Sequence, residues 1–122
     1  TGQAFFLGIL CNVLVCLAVW LALGARSVTD KILAITFPIT AFVAAGFEHC
    51  VANMYFVPLG LLIEQGAPDA FWADLGRSAP AIPVGHFLLN LAAVTFGNWI
   101  GGALLVGGVY WFIYRRPSRR NH

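Results

Sequence analysis

The chain contains three long apolar stretches separated by polar segments. They cover 4–23, 32–63 and 87–114. At about 1.5 Å of rise per residue, the first stretch would form a helix about 30 Å long, which matches the hydrocarbon thickness of a bilayer. Eleven of the twelve charged residues fall between or beyond the stretches, and Glu48 is the exception. The pattern predicts an all-α membrane protein with three transmembrane segments.

The second apolar stretch is too long for one straight crossing. Its thirty-two residues would extend about 48 Å as a continuous helix. Pro38, Gly46 and Pro58 are residues that interrupt helices, and Gly46 lies close to the intramembrane acid. We therefore predict a break near Gly46 between two half-helices, 32–45 and 47–63, that meet near the membrane midplane.

Composition and charge agree with a membrane environment. The 122 residues are 60% apolar and 10% charged, with a mean hydropathy of +0.82, whereas soluble domains carry about 25% charged residues. The turn with Arg26 and Lys31 is two crossings away from the basic tail 115–122, and the loop 64–85 carries three acids and one arginine. Because basic segments stay cytoplasmic, we predict a multi-pass protein of the cell (inner) membrane with a cytoplasmic C-terminus. Membrane topology accounts for the basic residues, so we predict no nucleic-acid partner.

Other features narrow the functional class. Cys11, Cys16 and Cys50 lie inside apolar runs, at spacings that fit neither a disulfide framework nor a metal site. No nucleophile, base and orienting group occur together, so we expect neither an enzyme nor a bound cofactor. The chain begins at Thr1 without an initiator methionine or a basic leader, and we interpret it as a fragment whose upstream part is missing.

Glu48 and His49 are the candidate chemistry inside the membrane. A charged residue at that depth costs at least about 2.5 to 3.5 kcal/mol on insertion scales, which favours a functional role. Neighbours on a helix point about 100° apart, so the two side chains cannot share one lumen. We assign His49, in the first turn after the break, to the lumen. Glu48 is assigned to the protein side, where it would accept hydrogen bonds from helix N–H groups, and Asn53 falls one turn later on the His49 face.

Polar and small residues in the outer stretches are the remaining candidates. Asn12 and Asn98 are each an isolated polar residue near the middle of an apolar run, and they fit either a pore lining or interhelical hydrogen bonding. Gly97 and Gly101 have the small-xxx-small spacing that predicts close helix packing. His86, at the edge of the third stretch, is predicted to be an interfacial residue without a role.

Two sequence motifs resemble signatures of the formate/nitrite transporter family. One is GFEHCVANMY at 46–55, which continues to PLG at 58–60, and the other is GNWIGG at 97–102. The segment 8–20, with Asn12 and Val15, also fits, so the resemblance covers essentially the whole chain. Cys50 stands where many members carry serine.

The resemblance implies that 1–122 is the second half of a six-helix protomer with an aquaporin-like inverted repeat. Such protomers form a homopentamer in which each has its own pore. By similarity, His49 is the central pore histidine, with Glu48 beside it. Asn12 and Asn98 would line the pore. Phe42 and Val15 would belong to its hydrophobic constrictions. The first repeat, including the loop that faces the histidine, is absent, so we expect no pore from these residues alone.

The implied function is transport of a small monovalent anion: formate, nitrite, hydrosulfide or a short carboxylate. Desolvating such an ion is costly, so it crosses an apolar slit either beside a positive charge or as its neutral acid. The imidazole of His49 serves both routes, since histidine changes charge near physiological pH. We predict pH-dependent passage across the lipid bilayer, with protonation at or through His49.

Alternatives from other classes stay open. A haem-binding membrane anchor would use His49 and His86 as axial ligands, although one is central and the other interfacial. A membrane scaffold held by glycine contacts would leave the break without a purpose. Within the transport reading, a passive channel and a proton-coupled carrier are both compatible with the residues.

Overall fold

The computed structural model describes residues 2–76, 78 and 83–115, and all regular structure within them is helical. The helices are α1 (Gly2–Gly24), α2 (Val28–Ala44), α3 (Cys50–Gly66), α4 (Asp69–Asp74) and α5 (Val84–Trp99). Beyond α5 the chain stays helical through an extension, Ile100–Arg115, that contains wide π-type turns at Ile100–Gly107 and Trp111–Arg115. This architecture agrees with the predicted all-α class.

Among the described residues, two helices are long and apolar enough to cross a membrane. They are α1, with 23 residues, and α5 together with its extension, with 32 residues. They correspond to the predicted stretches 4–23 and 87–114. The middle stretch is divided between α2 and α3, each of 17 residues and about 26 Å long. The number of crossings that this stretch makes stays a prediction, and 116–122 of the basic tail lie outside the described residues.

The core lies where α1 packs against α5 and its extension. Val94 is fully buried. A Cβ at Gly97 would collide with the carbonyl oxygen of Phe5, and a Cβ at Gly101 with that of Ile9. Because the colliding atoms are backbone atoms of α1, they cannot move aside without separating the helices. The close packing predicted for the two glycines is confirmed.

The prolines of the middle stretch do not end helices. Helix α2 begins with a capping box, in which the Ser27 hydroxyl accepts from the Asp30 N–H and the Asp30 carboxylate accepts from the Ser27 N–H, both at 3.1 Å. Pro38 then lies inside α2, and Pro58 lies inside α3. Both prolines were named with Gly46 as residues that interrupt helices, but the predicted half-helices 32–45 and 47–63 already contained them, and membrane helices accommodate proline with local adjustments. The break depends on Gly46.

The segment 64–85, predicted to be a loop, is partly helical. Helix α3 continues to Gly66, and the short helix α4 follows Pro68. The loop prediction is wrong at both places: Pro68 directly precedes α4, where its missing N–H costs no helical bond, and Asp69 in the first turn favours a helix start. Arg77 and 79–82 lie outside the described residues.

Candidate functional site

Gly46 builds the break between α2 and α3. Helix α2 ends in a Schellman motif, in which the Phe47 N–H donates to the Phe42 carbonyl at 3.0 Å and the Gly46 N–H donates to the Val43 carbonyl at 3.1 Å. Gly46 has a φ of +66°, a left-handed conformation that costs other residues about 1 to 2 kcal/mol. The helix stops there, and 47–49 follow as non-helical backbone.

His49 stands at the N-cap of α3, in extended conformation with φ −116° and ψ 120°. We predicted that the second half-helix begins at residue 47 and holds this residue in its first turn; it begins at Cys50 instead. The His49 side chain makes no capping bond. Its ring stacks on that of Phe42, with centroids 5.9 Å apart and planes 30° apart. Since Phe42 belongs to the last turn of α2, the two rings bridge the break.

Asn98 of α5 holds the break in place. Its side chain is 5% exposed. The Oδ1 atom accepts from the Cys50 N–H at 3.0 Å, while Nδ2 donates to the Glu48 carbonyl at 3.1 Å and to the Gly8 carbonyl at 2.8 Å. One amide therefore joins α1, the break and α5, and supplies the acceptor that a capping side chain normally gives to the first turn of a helix. The interhelical bonding considered for Asn98 is present, and its pore-lining role stays a prediction.

The Glu48 carboxylate bonds a side chain instead of capping α3. Its Oε2 atom accepts from Nδ2 of Asn53 at 2.6 Å, so our prediction that it receives helix N–H groups is wrong. Asn98 takes the first N–H of α3, and the Glu48 carboxylate is bonded by an amide about one turn further on. The same Nδ2 of Asn53 donates to Oδ1 of Asn90 at 3.1 Å. Asn53 therefore connects the break to α5.

Asn12 brings α1 to the same region. Its Nδ2 atom donates to the Asn98 carbonyl at 2.6 Å. A Cβ at Gly102 would lie 2.5 Å from that nitrogen, so the missing side chain at Gly102 leaves room for the amide. Val15 follows on α1 and is half-buried. Its role in a constriction stays a prediction.

Asn90 and Gly8 belong to the network but were not predicted as site residues. Asn90 precedes Asn98 by eight residues, about two helical turns, and is also a polar residue in an apolar run. The criterion that selects Asn98 therefore also selects Asn90. Gly8 contributes only its backbone carbonyl, for which the sequence carries no side-chain signal.

The arrangement suits contact with a small anion better than ligation of a haem iron. The N-terminus of α3 carries the partial positive charge of its helix dipole, and His49 lies at that end. His86 precedes Asn98 by twelve residues on α5, about 18 Å along the helix, whereas His49 adjoins the Cys50 N–H that bonds Asn98. The two histidines are therefore poorly placed to bind one iron. No group of three His, Cys, Asp or Glu that fits a metal ion occurs within 2–76, 78 and 83–115.

Comparison with known proteins places these features in a family. The family model described as "Formate/nitrite transporter" matches residues 1–112. The formate channel FocB of Escherichia coli (strain K12) is 50% identical over 120 residues, which make up 95% of this chain and 43% of that protein. The formate channel FocA of the same strain is 48% identical over 121 residues, or 95% of this chain and 42% of that protein.

A solved structure has the same fold. It is described as a pentameric formate channel with formate bound, and it matches with a TM-score of 0.83 and 46% sequence identity. The match covers 94% of this chain and 47% of that one. The chain therefore spans less than half the length of the relatives that it matches.

Proposed function

The chain belongs to the formate/nitrite transporter family, and from that premise we propose that the protein carrying it conducts small monovalent anions through a pore in each protomer. Formate is the first candidate substrate, because the related channels are named for it. Nitrite, hydrosulfide and short carboxylates are the other anions of suitable size and charge. No covalent chemistry and no cofactor are needed for this function.

The observation that carries the proposal is the break itself. Helix α2 ends before 47–49 and helix α3 begins after them, and His49 is the last residue of the backbone between the two helices. Non-helical backbone at membrane depth is tolerated where it is buried in protein or lines a watery cavity. The imidazole, which does not cap α3, is the group that such a cavity would present to a substrate.

Electrostatics gives His49 its role in the proposed mechanism. A bare anion loses many kcal/mol of hydration in an apolar slit. The positive end of the α3 dipole lowers this cost, and a protonated imidazole lowers it further. The imidazolium either neutralises the anion by its charge or transfers its proton to the anion, which then crosses as the neutral acid. Because both routes require His49 to take up a proton, formate uptake should rise as the pH falls.

The flanking apolar residues complete the proposed filter. The ring of Phe42 stacks against His49, and Val15 lies half-buried on α1. We assign both to constrictions that exclude water and hydrated cations. Glu48, within the break, accepts a hydrogen bond from Asn53 of α3.

Assembly and orientation belong to the same proposal. The similarity to a pentameric channel supports a homopentamer, with this chain forming three membrane segments of the second repeat. The basic residues Arg26, Lys31 and Arg115 support a cytoplasmic C-terminus in the inner membrane, since cytoplasmic loops carry excess Lys and Arg.

The test is formate and nitrite uptake into liposomes that contain the protein carrying this chain, measured at pH 5.5 and pH 7.5. We expect the wild type to take up formate faster at the lower pH. The His49→Phe variant should lose that pH dependence, while His86→Phe, the same change at the exposed start of α5, should retain it. Unchanged pH dependence in His49→Phe would remove the histidine from the mechanism, and no flux from the wild type would favour a scaffold.

A further inference from the structure

Asn90 has no role in the mechanism described so far. It is half-buried in the first half of α5, and its Oδ1 atom accepts from Nδ2 of Asn53 on α3 at 3.1 Å. This is the one hydrogen bond of the Asn90 side chain within the described residues. A polar amide in an apolar membrane helix is costly to bury, so the bond to Asn53 is the feature that accounts for the residue.

The contact matters because of what Asn53 does with its other hydrogen. Nδ2 of Asn53 carries two hydrogens, and one bonds Oε2 of Glu48 at 2.6 Å while the other bonds Asn90. An ionised carboxylate only accepts hydrogen bonds, so it requires the NH2 side of the Asn53 amide. The oxygen of Asn90 requires the same side. The carboxylate therefore fixes the orientation of the Asn53 amide, and Asn90 accepts the second N–H of the amide in that orientation.

Without Asn90, this orientation loses the acceptor of its second N–H. The Asn53 amide would keep the bond to Glu48 but have an unsatisfied N–H in a half-buried site. Rotation of the amide would then loosen the carboxylate, which is adjacent in sequence to His49. Asn90 itself forms no hydrogen bond with His49 or with the backbone of the break.

We propose that Asn90 is a positioning residue: it orients the Asn53 amide, which in turn holds the Glu48 carboxylate beside the break. The inference rests on the proposed transport function, to which it adds a residue on α5. It predicts that Asn90 acts only through Asn53. A residue that merely fills space on α5 would act independently of Asn53.

The test is a double-mutant cycle in the protein carrying this chain, reconstituted in liposomes. Formate uptake is measured at several formate concentrations for wild type, Asn90→Leu, Asn53→Leu and the double variant. Leucine is similar in size to asparagine but offers no acceptor. Losing one hydrogen bond should lower the maximal uptake rate of Asn90→Leu by about twofold to tenfold, with less than a twofold change in the half-saturating formate concentration. In the Asn53→Leu background, Asn90→Leu should have no further effect.

A matched control separates positioning from general damage to α5. Thr95 lies on the same helix and is exposed, and its hydroxyl bonds the Leu91 carbonyl of its own turn at 2.7 Å. Thr95→Val should transport like the wild type. An equal loss in Thr95→Val, or an Asn90→Leu loss that persists in the Asn53→Leu background, would overturn the inference while leaving the proposed function intact.

Thermal unfolding of the same proteins in detergent measures the coupling between Asn90 and Asn53 independently of transport. If Asn90 acts through Asn53, the lowering of the Tm by Asn90→Leu should vanish in the Asn53→Leu background. Additive Tm changes would overturn the inference. A wild type that takes up no formate would overturn the proposed substrate, and the Tm cycle would still decide whether the two amides are coupled.

Discussion

Replacing Asn98 with leucine should destabilise the protein more than any other single loss of a polar side chain described here. The side chain is 5% exposed and makes three hydrogen bonds, to Cys50, Glu48 and Gly8. A net hydrogen bond is worth about 0.5 to 1.5 kcal/mol, and interhelical bonds in membrane proteins average about 0.6 kcal/mol. The expected loss for Asn98→Leu is therefore about 2 to 4 kcal/mol.

The assay is reversible unfolding of the protein carrying this chain in mixed micelles, with the free energy of unfolding compared between variants. Thr95→Val, which removes an exposed hydroxyl from the same helix, should cost less than about 0.5 kcal/mol. Formate flux should fall with Asn98→Leu, because the Cys50 N–H loses its cap and the Glu48 carbonyl loses its donor. If the free energy of unfolding of Asn98→Leu lies within about 0.5 kcal/mol of the wild-type value, the conclusion that Asn98 holds the break in place is refuted.

Three glycine substitutions test separate parts of the account. Gly97→Ala places a Cβ against the Phe5 carbonyl and should cost about 1 to 3 kcal/mol in the same unfolding assay, whereas Gly24→Ala, with open space around it, should be nearly neutral. Gly46→Ala also meets open space, so its cost should be that of the left-handed φ alone, about 1 to 2 kcal/mol, and a neutral result would contradict the helix stop assigned to this residue. Gly102→Ala should displace the Asn12 amide, whose Nδ2 atom donates to the Asn98 carbonyl at 2.6 Å, and should therefore reduce formate uptake. Wild-type uptake with a wild-type Tm would show that Asn12 has no part in holding the site.

The break could be predicted from the sequence because its causes are local. A thirty-two-residue apolar stretch exceeds the bilayer thickness, and Gly46 is the residue in it that adopts a positive φ. Pro38 and Pro58 also interrupt helices in many soluble proteins, but here they lie within continuous helices. Sequence alone does not separate a proline that a membrane helix accommodates from one that ends it.

The position at which the second half-helix restarts could not be predicted in the same way. It begins at Cys50 with a cap from Asn98, forty-eight residues later in the chain. The Glu48 carboxylate bonds the side chain of Asn53 instead of an N–H group in the first turn of α3. Long-range contacts of this kind carry no signal in local spacing, although the isolated polar residues that make them stand out within apolar runs.

The family could be identified from two motifs because they combine unusual residues at membrane depth. GFEHCVANMY at 46–55 includes the break and both ionisable residues, and GNWIGG at 97–102 includes Asn98 and the glycines that face α1. Each motif therefore corresponds to one side of the same contact in the structure. The hydrogen bonds of Asn98 explain why the two motifs belong together.

The central claim, that the middle apolar stretch opens at His49 onto a watery passage for anions, can be tested by cysteine accessibility. In a variant with Cys11 and Cys16 changed to alanine and Cys50 changed to serine, His49→Cys should react with a small anionic thiol reagent, and formate should slow the reaction. Val94→Cys, at a fully buried position of α5, should stay unlabelled. A His49→Cys protein that is folded and conducts formate but resists the reagent would contradict the account.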